Sequence, residues 1–170
     1  MVKFKFCPLC KYPLIFSQLD NCKRLVCKKC GWIKYNNPIP VAICVAMNKK
    51  NEILITKRNF EPGKNKWALP GGFIEFSENP EQACLRELKE ETNLDGKIIK
   101  LIGNYIQRTK KYGYLLVIGY AVMILKEEII VNKELKEAKF INIKKIPYIP
   151  FSTHREIIDN VYKNKELFVF

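Results

Sequence analysis

The chain has 170 residues, 48% of them hydrophobic, which suits one ordinary domain with its own core plus a small appendage. Its 30 lysines and arginines outnumber 17 acids, for a net +13 at pH 7, a balance that attracts phosphates and other anions. No apolar run approaches a membrane span, and cysteines and lysines interrupt the N-terminus where a leader would be apolar. The expectation is a cytoplasmic protein with no membrane partner. In that reducing compartment its seven cysteines read as metal ligands or free thiols.

The first 36 residues carry eight basic side chains and one acid, +7 of the total. Within them stand Cys7-x-x-Cys10 and Cys27-x-x-Cys30, separated by 16 residues. Each pair can form a tight turn presenting two thiolates, and two such turns close a tetrahedron around Zn²⁺. Four thiolates leave no open position, so the expected zinc is structural. Cys22 is a spare thiol without a paired neighbour and ranks below the four. His154, the one histidine, is too distant in sequence to join them. About 34 residues cannot build a core alone, so this module is expected to fold with its metal. The division expected is a zinc ribbon over 1–34 and a second domain over 35–170.

From residue 39 the pattern is α/β. Ile39–Met47 is an apolar, β-rich run, and Asn48–Asn51 a polar turn. Glu52–Lys57 is a second strand and Asn59–Lys66 a loop. Pro70-Gly71-Gly72 reads as a turn before a short strand at 73–76. Asn79 or Ser77 caps a helix with Pro80 in its first turn, running to about Thr92. Strands are expected at 97–107, 114–125 and 139–143, and a closing helix at 154–163.

The helix at 80–92 carries the chemistry. Glu87, Glu90 and Glu91 stand at i, i+3 and i+4 and share a face, where like charges repel. A divalent cation would convert that repulsion into a site, and carboxylate oxygens suit Mg²⁺ or Mn²⁺. Cys84, Leu85 and Leu88 lie roughly opposite and should meet the sheet. Arg86 is read as structural, pairing with a carboxylate, and Glu78 as an outer ligand or a cap.

At these residues the chain closely resembles the Nudix box. Gly72, Glu78, Arg86, Glu87, Leu88, Glu90, Glu91 and Leu94 fit its spacing. Asn93 stands where the box has glycine, and asparagine is the next most tolerant residue for a left-handed helix end. The lead-in Ile53–Arg58 and Trp67–Gly72 is also similar to Nudix hydrolases. Tyr35-Asn36-Asn37-Pro38, Ile146-Pro147 and Phe151-Ser152-Thr153-His154-Arg155 resemble the subgroup with an N-terminal zinc ribbon. The resemblance implies a Nudix α/β/α sandwich with a mixed sheet. It further implies Mg²⁺-dependent cleavage of a nucleoside diphosphate linked to another group. Its metal ligands would be Glu87, Glu90, Glu91 and the Gly72 carbonyl. Arg58 is the candidate phosphate ligand, and Tyr105, Phe140 or Phe151 the candidate base-stacking residue. Glu134 is the candidate general base, with Glu137 its rival.

The expected substrate is a nucleotide-type small molecule, ADP-ribose or FAD, cleaved to release AMP. The NADH pyrophosphatases of this subgroup, which also remove NAD caps from RNA, carry Ser-Gln-Pro-Trp-Pro-Phe after the box. Here Gly103-Asn104-Tyr105-Ile106-Gln107-Arg108 occupies that region, which disfavours that alternative. A non-catalytic ligand sensor is disfavoured because every box carboxylate is present. The ribbon's charge leaves nucleic acid as a partner to be tested. Its lysines lack a stacking-aromatic pattern beyond Trp32 and Tyr35, and the short junction suits a supporting module or a homodimer contact instead.

Overall fold

A computed structural model describes residues 4–126 and 128–164. The N-terminal module is a three-stranded antiparallel sheet: β1 (Leu14–Leu19), β2 (Cys22–Cys27) and β3 (Ile33–Lys34). Asp20 and Asn21 join β1 to β2 with φ of 51° and 59°, the left-handed pair that a two-residue hairpin turn requires. These strands carry no strong apolar alternation, and the sequence pattern shows only the turns that bracket them.

The second unit is a mixed sheet ordered β10-β5-β4-β9-β8. Its strands are β4 (Ile39–Met47), β5 (Glu52–Arg58), β8 (Gly96–Thr109), β9 (Gly113–Ile124) and β10 (Leu135–Asn142), and only β4 and β9 run parallel. Helix α1 (Pro80–Thr92) covers one face and α2 (Ser152–Lys163) the other. Strand β4 shows why. Val41, Ile43, Val45 and Met47 pack with Ile157, Ile158 and Val161 of α2. The alternating Ala42, Cys44 and Ala46 pack with Ala83, Cys84 and Leu88 of α1. Alternation sends the two sets to opposite faces, and the small set lets α1 approach closely. This is the expected α/β/α sandwich. Among the described residues no helix is long and apolar enough to cross a membrane.

Strands β4 and β5 pair only at Met47 and Ile53 and then diverge. Two short strands fill the wedge: β6 (Trp67–Ala68) on β5 and β7 (Gly71–Phe73) on β4. Of the turn expected at 70–72, Gly71 and Gly72 are strand while Pro70 stays outside it, and the strand expected at 73–76 ends at Phe73. Gly71 explains the shift. Its φ is +142°, and a Cβ there would lie 2.2 Å from the Ala42 carbonyl oxygen. Only a residue without a side chain can pair with β4 at that point. Phe76, 98% exposed, lies beyond in the approach to α1.

Helix α1 starts at Asn79, whose side chain accepts from the Gln82 N–H while Gln82 accepts from the Asn79 N–H. That reciprocal cap leaves Ser77 outside the helix. At the other end Asn93 takes φ +59° and its N–H donates to the Lys89 carbonyl. Asparagine therefore closes the helix in the left-handed conformation that a glycine would have adopted.

Candidate active site

The wedge between β4 and β5 opens into a cleft of about 700 Å³. Gly72, Glu87, Glu91, Arg58, Glu134 and Phe151 all line it. They come from five places in the chain: β7, α1, the end of β5, the loop before β10 and the start of α2.

Gly72 and Glu87 are in direct contact. A Cβ on Gly72 would sit 2.3 Å from Glu87 Oε1, so the carboxylate rests on the bare Cα. Arg86 holds it there. Its Nη1 donates to Glu87 Oε1 at 2.9 Å and to Glu90 Oε2 at 3.2 Å. Its Nε and Nη2 grip both oxygens of Glu78, and Nη2 also reaches the Phe73 carbonyl at 3.0 Å. This bidentate clamp couples the turn before α1, strand β7 and the acidic face of the helix. Replacing Gly72 by alanine should push the Glu87 carboxylate off its seat. Because Gly72 does not have the positive φ found at Gly71, the fold should survive. The expected result is a kcat lower by roughly 100-fold, the scale of a 1 Å misplacement in a site, with a melting temperature near that of the wild type.

Glu91 is 6% exposed and, among the described residues, receives one hydrogen bond, from the Gly71 N–H at 3.2 Å. Burial and then the Glu87 charge push its carboxyl up to about 8, with Glu134 adding to the rise and Arg58 opposing it. Burial also raises Glu87, against the pull of Arg86. A buried carboxylate beside like charges, with one hydrogen bond, is uncompensated as an anion. Hard oxygen donors in that condition fit a divalent cation such as Mg²⁺ or Mn²⁺.

Glu134 reaches the cleft on a loop with three ties. Asn132 N–H donates to the Glu91 carbonyl at 3.2 Å, and the Asn59 backbone N–H to the Glu134 carbonyl at 2.8 Å. The Asn59 side-chain amide adds a bond to the Lys133 carbonyl at 2.9 Å. Its rival Glu137 lies on β10, paired with Lys139 at 3.0 Å and Lys57 at 4.0 Å. Arg58 Nε donates to the Pro62 carbonyl at 2.9 Å, and the guanidinium stands over the Phe60 ring at 4.6 Å and Phe151 at 5.8 Å.

Glu90, Phe140 and Tyr105 do not line the cleft. Glu90 is 57% exposed on the outer side of Arg86. Helical spacing puts it on the acidic face, but the cleft meets that face along Glu87 and Glu91. Phe140 also lies outside. Its side chain packs on the α1 side of the sheet with the cluster of Leu54 and Leu88, because its position in β10 points it away from the α2 face. Tyr105 is buried in the core, where its hydroxyl accepts from Asn160 Nδ2 at 2.7 Å. Phe151 alone of the three aromatic candidates meets the cleft.

In the N-terminal module the Sγ atoms of Cys7, Cys10, Cys27 and Cys30 all lie within 4.8 Å of one another. Three of the separations are 3.4–3.5 Å. A Zn–S distance of roughly 2.3 Å requires tetrahedral edges of about 3.8 Å, so the four thiols fit zinc with a small expansion. The two turns repeat each other. Lys11 N–H donates to the Cys7 carbonyl and Gly31 N–H to the Cys27 carbonyl, both at 2.9 Å, with φ of 59° and 77°. Cys22 is exposed and outside the cluster, and Cys44 and Cys84 are buried in the sheet–helix core.

Comparison with known proteins follows the same division. The NUDIX domain model matches residues 37–163, three quarters of the chain. The chain belongs to the Nudix hydrolase family. A second model, the zinc ribbon described as Nudix N-terminal, matches residues 5–36. The ADP-ribose pyrophosphatase of Methanocaldococcus jannaschii is 35% identical over 126 residues, covering 74% of each chain. The NAD-capped RNA hydrolase NudC of Pseudomonas aeruginosa is 26% identical over 82% of this chain, which spans half of that protein's length. A crystal structure of a NUDIX hydrolase from Nitrosomonas europaea superposes with a TM-score of 0.79 at 26% identity, covering 96% of this chain and 93% of that one.

This Nudix cleft also contains residues that local pattern does not reveal. Phe60, Gln107, Lys110, Lys111, Tyr112 and His154 line it. They sit in loops, in the β8–β9 hairpin and at the start of α2, and no periodicity links them to the box. Only the Phe151–Arg155 resemblance touches one of them, His154.

Proposed function

We propose that this Nudix enzyme hydrolyses the diphosphate of a nucleoside diphosphate derivative, with ADP-ribose as its preferred substrate and FAD next, releasing AMP. The observation that carries this reading is the meeting of Glu87, Glu91 and Glu134 with Arg58 in one cleft of about 700 Å³, a volume in the range of small-molecule sites. The pyrophosphatase relative at 35% identity supports the choice of substrate.

Glu87 and Glu91 would hold a divalent cation, with the Gly72 carbonyl beside them. That ion supplies charge neutralisation of the diphosphate and a water of lowered pKa. Arg58 takes a phosphate oxygen, its guanidinium already oriented by Pro62 and Phe60. Glu134 accepts the proton of the attacking water. The water oxygen bonds to phosphorus as the bridging P–O bond breaks, giving AMP and ribose 5-phosphate from ADP-ribose. Phe151 and Phe60 offer faces for the base. Glu90 acts through Arg86, which it shares with Glu87.

We further place the enzyme in the cytoplasm, where the four ribbon thiols stay reduced and available to zinc. The ribbon serves as a structural module. Lys23, Lys34 and Arg24 stand over Phe16, Phe4 and Tyr35 at 4.4–4.8 Å, so the ring of Tyr35 is already covered on one side. RNA binding should therefore be weak and fall steeply with salt.

The test is a panel of ADP-ribose, FAD, NADH, NAD-capped RNA and nucleoside triphosphates with Mg²⁺ and product identification. Highest kcat/KM on ADP-ribose with AMP as product is expected. Metal-independent turnover, or a marked preference for capped RNA over every small molecule, would overturn the reading.

A further inference from the structure

His154 is the chain's one histidine, and no step above uses it. It lies in the first turn of α2, 9% exposed, and lines the cleft beside Arg58 and Phe151. The Leu69 backbone N–H donates to His154 Nδ1 at 3.1 Å. A ring nitrogen that accepts an N–H carries no proton, so the neutral ring is protonated at Nε2. Burial first, and the Arg58 charge second, hold the imidazole's pKa down to about 3, so neutral is the form present under ordinary conditions.

Nε2–H has no protein acceptor among the described residues, and the one sealed side-chain nitrogen or oxygen there without a partner is Arg24 Nε. Nε2 is therefore open, and the space beside His154 is the cleft. Two contacts set the orientation of the ring. Leu69 holds one edge, and the Phe151 ring lies 5.1 Å from it, tilted by 37°. The preceding residue is tied as well, with Thr153 Oγ1 donating to Gln107 Oε1 at 2.6 Å. A donor fixed in this way costs no reorganisation when an acceptor arrives.

We propose that His154 is a substrate-positioning residue whose Nε2–H donates to a phosphate oxygen of the nucleoside diphosphate, on the Arg58 side of the cleft. This rests on reading the cleft as a diphosphate site. His154, Arg58, Glu87 and Glu91 line the same cleft, and the Phe151 ring lies 5.8 Å from the Arg58 guanidinium and 5.1 Å from the imidazole, which puts the imidazole on the Arg58 side of a diphosphate seated there. A neutral donor suits this place. An imidazolium would repel a cation at Glu87 and Glu91, whereas a neutral N–H adds a hydrogen bond without adding charge.

The single histidine makes the test direct. In the ¹⁵N-labelled full-length protein the imidazole should show the Nε2–H tautomer. Saturating α,β-methylene-ADP with Mg²⁺, which cannot be cleaved at the diphosphate, should shift the Nε2 resonance. In kinetics, His154→Asn keeps an acceptor near the Nδ1 position and lacks the distal donor. It should raise KM for ADP-ribose about tenfold, the scale of one hydrogen bond to a charged acceptor, with a much smaller change in kcat. His154→Gln, with an amide N–H near the Nε2 position, should recover part of the loss. An Nδ1–H tautomer, an unmoved Nε2 resonance at saturation, or a wild-type KM in His154→Asn would each overturn the proposal. The spectra need no variant to fold. A shifted Nε2 in an enzyme that leaves ADP-ribose intact would support the phosphate contact and sink the substrate reading. Hydrolysis of ADP-ribose with an unmoved Nε2 would do the reverse.

Discussion

Glu91→Gln should lower kcat by roughly 100- to 1,000-fold, the range found when one preorganised charge-stabilising group is removed from a site, while the folded state is retained. Gln keeps the size of the side chain and can still accept from the Gly71 N–H, but it lacks the anion that a divalent cation requires. Glu90→Gln should cost less, because Glu90 is exposed and its partner Arg86 keeps Glu78 and Glu87. Near-normal turnover of Glu91→Gln would remove the basis for the metal site. The same residue gives a stability prediction. The Glu91 carboxyl is raised from 4.5 to about 8 in the folded chain, so without Mg²⁺ the folded state binds a proton more tightly than the unfolded state. Stability is then fully present below pH about 4.5 and is lost as pH rises to about 8, by up to a few kcal/mol. Glu91→Gln should abolish that decline and melt higher than the wild type at pH 8 in Mg²⁺-free buffer. Adding Mg²⁺ should stabilise the wild type more than the variant. Equal melting temperatures of the two proteins at pH 8, with and without Mg²⁺, would contradict this.

Cys27→Ser should lose zinc and with it the folded ribbon. Structural zinc in modules of this size contributes on the order of 10–16 kcal/mol of apparent binding free energy, and the three-stranded sheet holds little apolar core to replace it. Elemental analysis should find one zinc per wild-type chain and none in Cys27→Ser, with melting temperature falling in step. Cys22→Ser should keep its zinc, because Cys22 is exposed and outside the cluster. Loss of zinc from Cys22→Ser with retention in Cys27→Ser would reverse the ligand assignment. Activation by Mg²⁺ should be unchanged in whatever Cys27→Ser protein remains soluble.

Local chemistry by itself determined a good deal of this protein. The two Cys-x-x-Cys pairs declare a four-thiol site because each pair is one turn, and a turn is set by adjacent residues. The run Ile39–Met47 declares a buried strand, and the acids at 87, 90 and 91 declare a charged helix face. Asn79 and Pro80 mark the start of that helix, and Asn93 its end. All of these depend on spacings of a few residues, which a sequence displays directly. The tertiary structure decided what lies between distant segments. Gly71 became strand because the diverging β4 and β5 left a wedge in which a side chain at 71 would strike the Ala42 carbonyl, and Gly72 follows it with its bare Cα against Glu87. Glu91 faces the cleft and Glu90 does not because packing of α1 on the sheet fixes the helix's rotation to a finer angle than its periodicity. Phe140 turned to the α1 side because β10 registers on β5 in one way only, and a strand's period of two leaves no intermediate choice. Glu134 and His154 entered the site through the contacts of Asn59 and Leu69 with segments more than 70 residues away. Such contacts depend on how two helices cover one sheet, and no window along the chain contains both partners.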